Sequence, residues 1–191
     1  MRAVDLDVAG RALLAPVCRR CTWWQGRPRE SWERDVEAEA GLFGRLLLEG
    51  DDVLGWMHVA PAQLVPRARG LPGGPPSPDA WLLLCAYFYD DQFLQAFQYL
   101  LLDLVAALKQ RRIEALEAYA VRERCPDDRF RGYLPDINLF NAQVLEGNGF
   151  RRVRGLAGPS RYRLELATLV EAPRRGRADE ALARGAATQP V

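Results

Sequence analysis

The sequence has almost no excess of charge of either sign. Its 26 basic residues face 25 acidic ones, which leaves a net charge of +1, and only one of the basic residues, Lys109, is a lysine. We therefore expect no general attraction to nucleic acid or to an anionic membrane. The preference for arginine over lysine is typical of a GC-rich genome, so we attach no function to it.

Long hydrophobic runs are also missing. No stretch is apolar over the ~20 residues that a membrane helix needs, because Asp103 interrupts the longest candidate. The N-terminal segment mixes acids into its apolar residues and lacks the uninterrupted core of a signal peptide. The sequence thus predicts a cytoplasmic protein that has neither a membrane nor a nucleic acid as its partner.

Cysteine and histidine are scarce. The four cysteines, Cys18, Cys21, Cys85 and Cys125, are too few for a disulfide framework, so we expect free thiols. Cys18 and Cys21 have the spacing of half a zinc site, which Cys125 and the only histidine, His58, could complete if the fold brought them together. Two buried cysteines at helical spacing are the simpler interpretation, and we predict no metal.

Hydrophobic periodicity predicts one domain over residues 1–170 and a flexible tail over 171–191. The first predicted elements are helices at 11–21 and 31–42, a hairpin of strands at 44–49 and 53–60, and a proline-rich loop at 61–79. They are followed by a strand at 82–88, a helix that starts near Asp91 or Gln92 and has its apolar stripe from Phe93 onward, a strand at 113–121, a helix at 136–148, and strands at 150–154 and 161–169. Ser31 is the expected N-cap of the second helix. This order predicts an α+β fold whose mixed, mostly antiparallel sheet contains one parallel β-α-β crossover and is flanked by helices.

The joint between the strand at 82–88 and the next helix has the position of an anion site, because the first amides of a helix lack intrahelical partners. Phosphate-binding joints usually contain glycine, but this one reads Tyr89-Asp90-Asp91-Gln92-Phe93-Leu94-Gln95-Ala96-Phe97. We predict that Asp90 or Asp91 caps the helix and uses the amides that a phosphate would otherwise take.

The element order and the closing segment NLFNAQVLEGNGFRRVR resemble the GCN5-related N-acetyltransferase (GNAT) superfamily over roughly residues 10–169. Asn138 and the pair Gly149-Phe150 have the spacing that many members show, and GWMHVAPA follows the hairpin turn as in the family. The early segment CRRCTWW is most similar to that of actinobacterial members.

The resemblance implies acetyl-coenzyme A bound where two parallel strands splay apart. It also implies a pyrophosphate loop of pattern Gln/Arg-x-x-Gly-x-Gly/Ala, in which Gln92 matches the first position while Gln95 and Phe97 replace the glycines. Side chains at those positions take up space that the phosphates need, so the loop is a degenerate one. The cofactor-binding residues implied by the resemblance are Tyr87, Phe88, Tyr89, Gln92, Gln95, Ala96, Phe97 and Asn138.

Two catalytic positions follow from the same resemblance. The tyrosine that many members use as the acid is replaced by Leu145. Glu117, in the middle of a predicted strand beside the splay, is the candidate base that would accept the amine proton through a water molecule. The alternative is a structural Glu117 that is exposed on an edge or paired with an arginine.

The tryptophans Trp23, Trp24, Trp32 and Trp56 either line a pocket for a hydrophobic or aromatic amine or belong to the core, and His58 is expected to be structural.

The first hypothesis for the function is an N-acetyltransferase that uses acetyl-coenzyme A and a small-molecule or protein amine. The second is a non-enzymatic module in which Phe93 and Phe97 close the cofactor site and the surface binds a protein partner or a second copy of the chain. A third is that another acyl donor or small molecule occupies the splay.

Overall fold

A computed structural model of the protein describes residues 1–89, 93–122, 133–134, 138–155 and 158–167. Its strands are β1 (Arg2–Leu6), β2 (Gly44–Glu49), β3 (Asp52–Pro61), β4 (Ala80–Phe88), β5 (Ala115–Val121), β6 (Tyr133–Leu134), β7 (Leu139–Asn141), β8 (Arg151–Arg154) and β9 (Ser160–Glu165). Its α-helices are α1 (Pro16–Arg20), α2 (Arg29–Ala40), α3 (Phe93–Gln110) and α4 (Ala142–Gly147). Short 3₁₀ turns lie at Gly10–Leu13, Ala62–Leu64 and Pro66–Gly70.

All nine strands form one sheet in the order β1-β2-β3-β4-β5-β7-β6, and β9 pairs with β5 and with β8. Among the described strands, the β4–β5 and β5–β7 pairs are parallel and the others antiparallel, and α3 lies between β4 and β5 in the chain. The predicted α+β fold with a mostly antiparallel sheet and a parallel crossover is therefore confirmed. No helix within the described ranges is long and apolar enough to cross a membrane.

The two faces of the sheet carry different cores. On the face that we call the α3 face, the apolar stripe of α3 packs with α4 against the sheet through residues such as Phe97, Leu104 and Leu145. On the opposite α2 face, the N-terminal helices and the turns at residues 62–70 pack around Trp32 and Trp56. Strand alternation distributes the residues of β3, β4 and β5 between the two cores.

The hairpin, β4 and β5 lie close to their predicted ranges. The structure describes α3 from Phe93 onward, and the predicted start near Asp91 or Gln92 lies outside the described residues. The predicted N-cap is wrong, because α2 starts at Arg29 after Pro28 and the Ser31 hydroxyl donates to the Pro28 carbonyl instead. The helix predicted over 11–21 is also shorter, since Pro16 begins α1 and the residues before it form a 3₁₀ turn.

The helix predicted over 136–148 is wrong in its first half. Leu139–Asn141 forms β7, and α4 begins at Ala142 because the Asn141 side chain caps it by accepting from the Gln143 amide at 2.8 Å. Strand β1 was not predicted, since five residues at the chain terminus take their conformation from pairing with β2. The predicted flexible tail over 171–191 lies outside the described residues.

Candidate functional site

Strands β4 and β5 diverge in the middle of the sheet. Their parallel pairing runs from Ala80 opposite Ala115 to Leu83 opposite Ala118 and then stops. At this point β4 contains one residue more than β3, since the register shifts where His58 pairs with Cys85 and Val59 with Leu83. Such a bulge bends and twists a strand. The extra residue in β4 therefore accounts for the splay, which the resemblance implied.

The splay is partly filled by the chain itself. Strand β7 pairs with β5 at Ala120 and Val121. Because β9 already pairs with Ala120 on the other edge of β5, β7 must lie on the edge that β4 leaves. Strand β6 pairs with β7, and both contact β4. The opening between β4 and β5 thus contains β6 and β7, which no sequence pattern had indicated.

The end of β4 brings three of the predicted cofactor residues close together. The Tyr87 ring stacks on Trp56 at 4.7 Å and meets the Tyr89 ring edge-on at 5.1 Å. Tyr89 is 55% exposed, whereas Phe88 is buried on the α3 face. Their role in cofactor binding stays a prediction.

The first turns of α3 hold the remaining joint residues that the structure describes. Gln95 is exposed and Ala96 is half-buried. Phe97 is 1% exposed, and its ring lies in the α3 core, 6.4 Å from Phe88 and 6.3 Å from Phe140. The Phe97 side chain thus contributes to the core. Gln92 and the predicted cap by Asp90 or Asp91 lie outside the described residues.

Glu117 lies on the α2 side of β5 and is fully buried. Its carboxylate accepts from the Ser77 amide at 3.0 Å and the Ser77 hydroxyl at 2.7 Å. Arg161 donates to both oxygens at 3.0 and 2.9 Å, and Arg163 lies 3.5 Å away. These contacts match the structural alternative, in which Glu117 pairs with an arginine, and its role as a base stays a prediction.

The proline-rich loop is fixed over the same face of β5. Besides the Ser77 contacts, the Tyr119 hydroxyl lies 3.0 Å from the Ala68 carbonyl and also within hydrogen-bond distance of the Gly74 carbonyl. The loop therefore covers the α2 side of β5, and Glu117 and Tyr119 hold it in place.

A second buried polar group lies at the start of α2. Glu33 is fully buried and accepts from Arg29 at 2.7 Å through one oxygen and from Arg11 at 2.7 Å through the other. The His58 Nε2 atom is 4.0 Å from Glu33, and its Nδ1 atom is 3.2 Å from the Cys85 sulfur. We call Arg29, Glu33, Trp56, His58 and Cys85 the Arg29 cluster.

Burial keeps the two cysteines and the histidine near Arg29 neutral. Burial raises the pKa of Cys85 to about 12 and that of Cys18 to about 11, against the opposing charge of Arg29. Burial and then the Arg29 charge lower the pKa of His58 well below its usual range. In the part of the chain that the structure describes, no three His, Cys, Asp or Glu residues are arranged to hold a metal. Cys125, the other zinc candidate, is outside that part.

The Gly149-Phe150 pair, which belongs to the segment that resembles the GNAT family, forms a turn after α4. Gly149 adopts φ +89°, a conformation that side chains disfavour, directly after α4. This turn places Phe150 and Leu145 in the α3 core at 2% and 0% exposure. Asn138 adopts φ +53° just before β7, while the cap of α4 is Asn141.

No protein-family model matches the sequence, and no curated protein matches it. Solved structures do match. An aminoglycoside 6′-acetyltransferase of type Ii is 13% identical, with a TM-score of 0.53, over 91% of this chain and 99% of its own. A protein from Desulfovibrio desulfuricans assigned to the GNAT family is 17% identical, with a TM-score of 0.50, over 86% and 97%.

The chain has the GNAT fold. A further match is the PaiA N-acetyltransferase from Thermoplasma acidophilum in complex with coenzyme A, which is 14% identical with a TM-score of 0.50 and covers 86% of this chain and 98% of its own. At these identities the likeness concerns the fold alone. In this GNAT fold, the bulge in β4, the splay and the Arg29 cluster adjoin one another through the pairing of Trp56 with Tyr87 and of His58 with Cys85.

Proposed function

We propose that the protein is a GNAT-type N-acetyltransferase that transfers an acetyl group from acetyl-coenzyme A to an amine. The observation that supports this is the divergence of β4 from β5 at the bulge, within a sheet of GNAT topology. Beyond Leu83, no described strand is hydrogen-bonded to the inner edge of β4. Backbone groups along such an edge can bind an extended chain, as the pantetheine arm of the cofactor would be.

The residues around this edge fit the cofactor in part. Tyr87, Phe88 and Tyr89 end β4, and Gln95 and Ala96 lie at the start of α3, where helix amides favour an anionic group. Against this, β6 and β7 occupy part of the opening. We propose that the arm lies along β4, with its phosphates toward α3.

The reaction requires that the amine nitrogen attack the thioester carbonyl, that the carbon–sulfur bond break, and that the amine lose a proton. The sequence candidate for the base is Glu117, whose carboxylate would act through water. Its carboxylate oxygens already accept from Ser77 and Arg161, with Arg163 3.5 Å away, so a water molecule that relays the amine proton would have to share them with these donors. No tyrosine stands at position 145 to protonate the leaving thiolate, so we expect water to supply that proton.

Titration with acetyl-coenzyme A, followed by thermal unfolding and by calorimetry, tests the proposal, because a ligand that binds the native state raises its Tm. The variant Gln95→Glu adds a negative charge at the first turn of α3 and should weaken binding about tenfold. Gln98→Glu introduces the same change one turn further along an exposed part of α3 and serves as its control. We expect Gln98→Glu to bind like the unmodified protein.

The absence of any stabilisation at millimolar acetyl-coenzyme A would contradict this function. It would support the non-enzymatic alternative, for which the favouring observation is the pairing of β7 with the edge of β5 that β4 leaves.

A further inference from the structure

Cys85 and His58 form a thiol–imidazole pair beside the splay. The two residues are directly opposite each other in the β3–β4 register, so their side chains lie on the same side of the sheet, the α2 side. The His58 Nδ1 atom is 3.2 Å from the Cys85 sulfur. Of the other described cysteines, neither Cys18 nor Cys21 contacts this histidine. A thiol in contact with an imidazole is the arrangement that enzymes with a cysteine nucleophile use.

Neither member of the pair is charged at rest. Burial raises the pKa of Cys85 to about 12, and burial lowers the pKa of His58 well below its usual range. With its proton on Nε2, the neutral imidazole can accept through Nδ1, the nitrogen that contacts the thiol. The sulfur can therefore attack a carbonyl if His58 takes its proton in the same step, as happens to a serine hydroxyl beside a histidine.

Two charged side chains flank the pair. Glu33 lies 4.0 Å from His58 Nε2, and its negative charge stabilises an imidazolium that forms there. After burial, the Arg29 charge is the next influence on the pKa of both Cys85 and His58, and it lowers both. Arg29 thus stabilises a thiolate and opposes the imidazolium. Because the transfer of a proton from sulfur to Nδ1 leaves the total charge of the pair unchanged, it needs no counterion from outside.

Cys85 lies where β4 and β5 begin to separate. It is the second residue after Leu83, at which the pairing of β4 with β5 stops, and it is half-buried. Leu84, just before it, is 1% exposed, whereas Tyr87 is half-buried and Tyr89 is 55% exposed. The α2 side of β4 thus becomes more exposed from the bulge onward, and Cys85 is the first residue of this more exposed part.

The thioester of the proposed cofactor falls at the same place. In the proposed function the pantetheine arm lies along β4 with its phosphates toward α3, which follows β4 in the chain. The thioester, at the other end of the arm, then lies at the bulge beside Cys85. The groups that were expected to handle protons there are a leucine at position 145 and the Glu117 carboxylate, which is held by Arg161. The Cys85–His58 pair offers a different route.

We propose that Cys85 takes the acetyl group from acetyl-coenzyme A and passes it to the amine, with His58 as the proton carrier. This inference rests on the proposed function. In the first step the Cys85 sulfur attacks the thioester carbonyl, the bond to the coenzyme A sulfur breaks, and the thiol proton passes through His58 Nδ1 to that leaving sulfur. In the second step the amine nitrogen attacks acetyl-Cys85, the carbon–sulfur bond breaks, and the amine proton returns through His58 to the Cys85 sulfur.

Acetyl-coenzyme A alone tests the first step, because no acceptor is needed. One thioester replaces another, so an excess of acetyl-coenzyme A over coenzyme A should load the protein. We expect acid-quenched protein to gain the mass of one acetyl group, located by peptide mass spectrometry at Cys85. We also expect labelled coenzyme A to exchange into acetyl-coenzyme A in the absence of any amine. A direct transfer to the amine gives neither signal, so the lack of both would overturn the proposal, as would equal acetylation of Cys18 and Cys21.

Three variants assign the exchange to the pair. Cys85→Ser keeps a hydroxyl that can donate to His58 but is a much weaker nucleophile, and His58→Asn keeps a polar side chain that cannot carry the proton. Each should slow the exchange about 100-fold or more. Cys21→Ser removes a half-buried thiol outside the pair and should exchange like the unmodified protein. Calorimetry with acetyl-coenzyme A shows whether each variant keeps its binding site. Unchanged exchange in Cys85→Ser, or an equal loss in Cys21→Ser, would contradict the assignment.

The two proposals can fail separately. Binding of acetyl-coenzyme A without acetyl-Cys85 and without exchange would reject the intermediate and retain the acetyltransferase. The absence of acetyl-coenzyme A binding would reject both. The mass measurement on the unmodified protein decides the matter even if a variant fails to fold.

Discussion

The two faces of the sheet differ in what they bury. The α3 face is an apolar core in which α3 and α4 cover the sheet. The α2 face also buries tryptophans, but it adds Arg29, Glu33, His58 and Glu117 in the fully or almost fully buried state. Burial of charged and polar groups is costly unless they are paired. The α3 face is thus stabilised by apolar packing, whereas the α2 face also depends on the partners of its buried carboxylates.

The α3 face should respond most strongly to truncation. We expect Phe97→Ala to lower the free energy of unfolding by about 3–5 kcal/mol, because it leaves a cavity between Phe88 and Phe140. Urea denaturation of the variant measures this loss. Tyr99→Ala, on the exposed side of the same helix, is the control and should change stability by less than about 0.5 kcal/mol. Similar losses in both variants would mean that Phe97 is not a core residue.

On the α2 face, Glu117→Gln should cost about 3 kcal/mol of stability, because Arg161 and Arg163 lose their buried anionic partner. Glu114→Gln changes an exposed glutamate at the start of the same segment and should have little effect. Denaturation and acetyl transfer are measured on both variants. A fall in kcat/KM of about 100-fold or more in Glu117→Gln, with stability retained, would establish the base role and reject the structural one.

Because His58 is the only histidine in the sequence, the pH dependence of stability reports on its burial in the α2 face. Burial lowers the pKa of His58 in the folded state, so the unfolded chain binds the proton more readily. Stability should therefore be full above pH ~6.5 and fall as the pH drops below it, by up to about 1.4 kcal/mol per pH unit. Urea denaturation between pH ~7 and ~5.5 measures the slope. His58→Gln should abolish it, and an unchanged slope in that variant would assign the effect to other groups.

The smallest expected effect on stability is the loss of a tyrosine hydroxyl, which we compare on the two faces of the sheet. Tyr119→Phe removes the hydroxyl that holds the Ala68 and Gly74 carbonyls and should cost about 1 kcal/mol. Tyr162→Phe, in the α3 core, removes a hydroxyl whose contacts are a long one to Glu146, at 3.4 Å, and one to the exposed Arg122, and it should cost less. Thermal unfolding of both variants measures the difference. Equal losses would show that the proline-rich loop is not anchored through Tyr119.

Local pattern predicted most of the fold. The hairpin, β4, α3 and β5 were recognisable because their hydrophobic periods are long and uninterrupted. The sequence predicted a helix where β7 lies, because a strand of three residues directly before a helix is too short to show a hydrophobic alternation of its own. For the candidate site, the sequence predicted its location at the splay beside Glu117. It did not predict which side chains contact one another there. Arg29 and Glu33 were not singled out, since an arginine and a glutamate four residues apart on a helix are usually exposed.

The element order, the GNAT-like topology and the apolar stripe of α3 could be inferred from the amino-acid pattern, because these depend on neighbours along the chain and on alternation within each strand. Which charges are buried, and which partners they have, depends on contacts between distant segments. Glu117 meets Ser77 and Arg161, and Arg29 approaches Cys85 and His58, because strand pairing and helix packing bring together residues that are distant in sequence. The bulge that separates β4 from β5 likewise arises from pairing between strands, so it becomes visible only when the sheet has formed.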